Sequence, residues 1–334
     1  MRIAVINETS AAGRNADILA ALDGLGNIYV TGCTRGVMGD RNLGKEDVLV
    51  VKFDTAGNME WQKQFGSDST DVGNMVYADV HGDVYISGAT KGTMGQESFG
   101  GTDCILMKLD TKGSMIWIRQ FGTVKGDESQ GVTGDSLNIY VCGYTFGDLA
   151  AKNAGSLDAF VGKFTFNGQQ VKFFQFGTPK FDLASHIVLD KEKNIYVGGS
   201  TAGDLCFANL GEGDGFLAKL NGNFDVLWTR QFGTNKWDGV NGIALNEKVS
   251  GNIVVSGCQR WPSCQSFIRM YSKDGNLLWS DNFSAGGKNG GTCGKGVCMD
   301  DHGNIYHSGN TGGSLFKQID KPEGHDVILI KLRM

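Results

Sequence analysis

One phrase recurs six times along the chain: GNIYVTG ending at Gly32, GDVYISG at Gly88, LNIYVCG at Gly143, KNIYVGG at Gly199, GNIVVSG at Gly257 and GNIYHSG at Gly309. Successive copies lie 56, 55, 56, 58 and 52 residues apart. A fixed period of this size marks a repeat architecture, in which each copy is one supersecondary unit that buries its apolar faces against its neighbours. The 334 residues exceed the usual single core. The repeats favour one domain over 1–334 rather than two.

A second phrase follows each copy: DVLVVK from Asp47, DCILMK from Asp103, DAFVGK from Asp158, DGFLAK from Asp214, the degenerate QSFIRM from Gln265 and DVILIK from Asp326. Nine residues after its terminal Lys or Met comes a third, WQKQFG from Trp61, WIRQFG from Trp117, KFFQFG from Lys172, WTRQFG from Trp228 and the weakened WSDNF from Trp279. A fourth run, of the NMVYAD type, leads through a polar turn into the next copy. Four short β-rich runs separated by Gly, Asn and Asp turns are the content of one propeller blade. The expected fold is therefore all-β, a six-bladed β-propeller of four-stranded antiparallel blades. We label the strands a (NMVYAD), b (IYVTG), c (DVLVVK) and d (WQKQFG).

The third phrase occurs only five times, and the chain stops after the sixth c strand. Pairing the N-terminal run, Ile3 to Ile6, with the C-terminal strand containing Val327 to Leu332 would supply the missing strand d, with residues 1–8 completing the last blade and leaving no open edge. Counting inward from Lys52 and Trp61 meets at Ala56 and Gly57, so these two side chains should be direct cross-strand neighbours. Lys108 with Trp117, Lys219 with Trp228, and Met270 with Trp279 repeat the pairing. A Lys stem lying on an indole is packing with cation–π character, so these repeats read as structural.

Together the phrases D-x-F-V-x-K, D-x-x-G-N, W-x-x-Q-F-G and G-N-I-Y-V-T-G resemble the SBBP-type β-propeller repeat family over essentially the whole chain. Lys172 in the Trp slot, and Gln265 and Met270 in place of Asp and Lys, depart from the pattern. The resemblance implies a binding or adhesive module, often in secreted or surface proteins, and supplies no shared catalytic motif. Compartment and oligomeric state stay undetermined.

Charge narrows the partners. A net charge of −5 offers no basic face for nucleic acid. No stretch approaches the roughly 18 consecutive apolar residues of a spanning helix, so membrane insertion is not expected, and the apolar segment of MRIAVINETS is too short for a signal peptide. The 8 Cys occupy no common slot. Cys258 and Cys264 flank a shortened b–c loop, and Cys293 and Cys298 lie near the next d–a connection. Their spacing is not a standard metal signature; free thiols are the expectation, with a disulfide ahead of a metal site if the protein is extracellular.

Long b–c loops and the d–a connections should emerge on one face, where a rigid scaffold carries function. Asp71, Asp127, Asp182, Asp238 and Asn289 recur six residues after the repeated Phe. They can ring a cation, or accept N–H bonds within their own turns, the reading we favour. Asn74, Gln130, Ser185 and Asn241, three places on, with Lys295 in the corresponding slot of blade six counted back from Asp300, suggest a hydrated pore.

Blade five breaks the pattern, with QRWPSC replacing a long Gly-rich loop. Its two aromatics outside the strand-d slot, Trp237 and Trp261, with Arg260, Asp238 and Asn241, form the candidate ligand or partner site, suited to sugar rings or an apolar side chain. No catalytic, cofactor-binding or metal-ligating set is assignable: FDTAGNMEW resembles a quinoprotein docking repeat without its Thr-Gly-Lys spacing, and SKDGNLLW a sialidase Asp box with Asn276 where Gly should be. The expected function is a non-catalytic binding or scaffold propeller engaging a protein or glycan through its loop face, with a quinoprotein-like or glycan-acting propeller enzyme as the alternative.

Overall fold

The computed structural model describes residues 19–39, 41–248, 250–261, 263–284, 291–312 and 326–333, apart from the side chains of Leu19, Trp261 and Asp326. The fold is an all-β, six-bladed β-propeller, with no helix among the described residues. The chain divides into two compact units, Met1–Asn153 with Phe160–Gln175, and Ala154–Ala159 with Phe176–Met334.

In the first unit, β1 (Leu19–Leu22), β2 (Ile28–Thr34), β3 (Asp47–Phe53) and β4 (Met59–Phe65) form blade one. β5 (Asp71–Ala78), β6 (Val84–Thr90), β7 (Asp103–Leu109) and β8 (Met115–Phe121) form blade two. β9 (Asp127–Gly134), β10 (Asn138–Thr145), β11 (Asp158–Thr165, whose first two residues belong to the second unit) and β12 (Gln170–Phe176) form blade three. The second unit holds blade four, β13 (Asp182–Leu189), β14 (Ile195–Thr201), β15 (Asp214–Leu220) and β16 (Val226–Phe232). Blade five is β17 (Trp237–Asn246), β18 (Asn252–Trp261), β19 (Gln265–Tyr271) and β20 (Leu277–Phe283). Blade six shows three strands, β21 (Thr292–Met299), β22 (Ile305–Thr311) and β23 (Asp326–Leu332). Ile3 to Ile6, expected as its fourth strand, lie outside the described residues.

Burial explains the sequence pattern. β6 and β7 are buried at nearly every position because both faces are covered, which is why strands b and c read as continuous apolar runs instead of alternating ones. β8 begins with exposed Met115 and Ile116 at the outer edge. The cores lie between blades: Tyr85, Leu106, Phe121, Val141, Phe160 and Phe164 make one in the first unit, and Tyr196, Leu217, Ile243, Phe267 and Tyr271 one in the second.

The c–d register is as counted from the sequence: Lys52 opposes Trp61, Lys108 opposes Trp117, Lys219 opposes Trp228 and Met270 opposes Trp279. The cation–π partner differs. Lys52 also opposes Tyr29 on its other side, and its Nζ lies 5.5 Å from the centre of that ring. The ammonium groups of Lys108, Lys163, Lys219 and Lys331 lie likewise over Tyr85, Tyr140, Tyr196 and Tyr306. The Trp rings are left to staple blades: Trp61 Nε1 donates to Thr111 O at 3.1 Å, Trp117 Nε1 to Phe166 O at 3.0 Å and Trp228 Nε1 to Lys273 O at 3.1 Å. Each reaches the c–d turn of the following blade.

The Gln of the QFG phrase braces the b–c loop. Gln120 Oε1 accepts the Met94 and Gly95 N–H groups at 2.9 Å, while its Nε2 donates to Gly92 O at 2.9 Å and to Asp103 Oδ2 at 2.7 Å. Gln64 and Gln231 repeat this, with Asp47 and Asp214. Blade five has Asn282 opposite Phe267 where this Gln should stand, Gln265 where the Asp should, and no long loop. The three losses form one change, because the clamp has nothing to hold once the loop is short.

Candidate functional site

The repeated Asp residues hold turns. Asp127 Oδ2 accepts from Thr123 N–H at 2.6 Å and from its hydroxyl at 2.9 Å; Asp182 and Asp238 make the same bonds with Thr178 and Thr234. Strand b adds a further donor, the hydroxyl of Thr90 to Asp71 and of Thr201 to Asp182. In blade six the pairing of Thr292 with Thr311 puts Thr292 in this slot, correcting the count that gave Asn289, which lies outside the described residues.

Blade five replaces the strand-b Thr by Gln259, and the backbone compensates. Arg260 takes a left-handed φ of 63°, in the bulge between the Trp237–Trp261 and Gly239–Cys258 pairs. That turns its N–H onto Asp238 Oδ1 at 3.0 Å. Asp238 is 1% exposed, and burial, with the Asp214 charge among the lesser causes, raises its carboxyl above the usual range despite the donors. Asp238 is therefore a structural group and not the ligand contact expected of it. Arg260 contributes its backbone to that turn, while its side chain is exposed. The Trp261 side chain lies outside what is described.

The polar slot three residues on is filled by inter-blade bonds. Asn74 Nδ2 donates to Ser129 O at 3.0 Å, Asn241 Nδ2 to Gly294 O at 2.8 Å, and the Ser185 hydroxyl to Val240 O. These side chains read as pore-lining from sequence, and they link neighbouring a strands.

A cavity of about 540 Å³ opens in the second unit. Its wall is one structural slot taken from three blades, the cross-strand pair just inside the repeated Asp: Leu183 with Ser200 in blade four, Gly239 with Cys258 in blade five, and Cys293 of blade six. Phe181 and Trp237, each one residue before the Asp, close one side, with Glu212 and Asn241 completing the lining. The two rings meet edge to face, centroids 5.1 Å apart at 75°. Trp237 also lies on Gly213, where a Cβ would approach the indole to 2.5 Å, so only Gly admits the ring in this position. Gly239 opens the space: a Cβ there would meet Ser200 Oγ at 2.4 Å.

Of the five residues expected from sequence, the cavity thus brings together Trp237 and Asn241. It adds Phe181, Leu183, Ser200, Glu212, Cys258 and Cys293, which were not in the candidate set. Aligning slots would have found Phe181, since the residue before the Asp is Thr70 or Gly126 in blades two and three and aromatic in blades four and five. Glu212 is the one carboxylate in the described lining; its side chain is 56% exposed and its Oε1 lies 2.6 Å from Lys236 Nζ. A second polar pair, Ser266 Oγ and His307 Nε2 at 2.5 Å, is buried at 0% exposure for both residues. Burial holds the His307 imidazole down to about 4.

Cys258 forms a disulfide with Cys264, their Cα atoms 5.9 Å apart, so the expectation of free thiols fails for this pair. The bridge closes the short b–c loop of blade five at its base.

No family model matches the chain. The regulatory protein FlaEY of Caulobacter vibrioides is 26% identical over 198 residues, 54% of this chain and 20% of that protein. The chain therefore matches about a fifth of that relative's length. Among solved structures, the neuraminidase-like protein of A/little yellow-shouldered bat/Guatemala has a TM-score of 0.51 at 9% identity, covering 94% of this chain and 93% of that one. A protein of unknown function from Bacteroides caccae has a TM-score of 0.47 at 13% identity, covering 83% and 81%. At 9% identity the likeness to the neuraminidase-like protein speaks for the fold alone.

Proposed function

We propose that this chain is a non-catalytic binding propeller that engages a glycan, or an apolar side chain of a protein partner, in the cavity of the second unit. The observation that carries the reading is the half-buried Trp237 indole set against Phe181, with Asn241 and Ser200 in the same open cavity. An aromatic face takes the C–H face of a sugar ring, and the Ser200 hydroxyl supplies both a donor and an acceptor for its hydroxyl groups. Most glycoside hydrolases instead use two carboxyl groups flanking the scissile bond, whereas the described lining offers Glu212, solvated and ion-paired.

The protein-partner reading draws support from FlaEY, named a regulatory protein, to which 198 residues are similar. Membership of the SBBP-type repeat family rests on the recurring phrases and remains part of the proposal.

The test is a printed oligosaccharide array probed with the parent chain and with Trp237→Ala, after circular dichroism shows both folded. The parent should capture a defined glycan, and Trp237→Ala should weaken capture at least tenfold. The captured glycan should be recovered uncleaved. Equal capture by both chains would remove the cavity from the account, cleavage would restore the enzyme reading, and no capture would leave the protein partner as the occupant.

A further inference from the structure

The cavity has a sulfur corner. The Sγ atoms of Cys258, Cys264 and Cys293 all lie within 4.8 Å of one another, two from the loop flanks of blade five and one from the first strand of blade six. The approach is built into the backbone: Thr292 N–H donates to Cys264 O at 2.8 Å, which seats Cys293 beside the bridge. Asn241 then holds the third sulfur, its Nδ2 lying 2.8 Å from Gly294 O and 3.8 Å from Cys293 Sγ. Cys258 and Cys293 face the cavity, while Cys264 is buried beneath them.

We propose that, when the Cys258–Cys264 bridge is reduced, these three thiolates bind one thiophilic d10 cation such as zinc. Three sulfurs about a tetrahedral zinc at roughly 2.3 Å each stand about 3.8 Å apart, so the cluster needs only small side-chain rotations to converge. A dithiol reductant supplies two electrons and two protons to the S–S bond; the bond breaks to two thiols as the reductant closes its own disulfide. Binding of the cation then releases the thiol protons to solvent. Three protein ligands leave a fourth position facing the cavity, the arrangement of sites that accept an exogenous ligand, unlike closed structural sites. The Asn241 amide directed at Cys293 Sγ favours the thiolate and fixes its orientation, as outer hydrogen bonds do at metal sites. The bridged form has one sulfur donor left and should not hold the ion, so occupancy follows redox state. This site goes beyond the glycan reading and stands without it, because its readout is the metal itself.

The chain, reduced with a phosphine and desalted under argon, is titrated with zinc against a chromophoric chelator, and in parallel with cobalt(II) to read thiolate charge-transfer absorption. The reduced parent should take up one tight equivalent and the oxidised parent none. Cys293→Ser, folded by circular dichroism, should lose about 100-fold or more in affinity, Asn241→Ala about tenfold, and Cys298→Ser, outside the cluster, nothing. The absence of a tight equivalent in the reduced parent would overturn the proposal. So would parental affinity in Cys293→Ser, or equal uptake by the oxidised chain. None of these results bears on capture of a glycan at Trp237.

Discussion

Blades three and five build the same slot in opposite ways. In blade three the cross-strand pair inside the repeated Asp is Glu128 and Tyr144. The Glu128 carboxylate accepts from the Tyr144 hydroxyl at 2.6 Å and from the Asn74 and Gln130 amides at 2.9 Å each, and the Tyr144 ring packs edge-on against Phe146. In blade five the pair is Gly239 and Cys258, with Ser200 in the corresponding place of blade four, and the space is open. One backbone slot thus gives a satisfied polar plug in the first unit and a cavity in the second. The scaffold presents the same positions repeatedly, and side-chain size at two of them decides whether a blade is closed or receptive.

The contrast is most easily broken by making equivalent truncations. Tyr144→Ala should cost about 3 kcal/mol, through the lost ring and the lost donor to Glu128. Ser200→Ala, in the same slot of blade four, should change stability by less than about 0.5 kcal/mol, as for a site where little is packed. Urea unfolding of the two variants measures both. Similar losses would mean that the open slot is as tightly packed as the closed one.

A second test uses the b strands. His307 occupies the place that Val141 fills in blade three. With an ordinary value of 6.5 and a folded value of about 4, the imidazole is held neutral by burial. The unfolded chain therefore binds more protons within that window, and stability falls as pH drops from 6.5 towards 4. At pH 5 the loss from this group is on the order of 2 kcal/mol, and His307→Val should flatten that part of the profile. A parallel acid slope in parent and variant would assign the loss elsewhere.

The smallest expected effect is the most diagnostic of open space. Gly239→Ala brings a Cβ against Ser200 Oγ; combined with Ser200→Ala the clash is gone, and the double variant should lie within about 1 kcal/mol of the parent by urea unfolding. A larger loss would show backbone strain at Gly239 in place of vacant volume.

How far the sequence reaches follows from these particulars. The six copies carry the blades and the Lys–Trp register, because period and turn spacing survive single substitutions. The choice of Tyr29 over Trp61 by Lys52 is not legible, since both flank the Lys in register and only ring placement separates them. Trp237, Asp238 and Asn241 looked like one cluster because they are near neighbours in sequence. Successive strand residues face opposite sides, so Trp237 and Gly239 reach the cavity while Asp238 turns inward to its turn donors. Ser200 and Cys293 were hidden for a different reason: each becomes a wall only when three copies of one slot face a common space.

The central claim, that the open slot is the binding site, is tested most directly by carrying the plug across. Leu183→Glu combined with Ser200→Tyr recreates the Glu128–Tyr144 pair in blade four without touching the disulfide. Calorimetric titration with the oligosaccharide captured on the array should then show a folded protein that has lost at least tenfold in affinity, while the converse variant Tyr144→Ala, at the closed slot, retains parental affinity. Parental affinity in the plugged, folded protein would contradict the account.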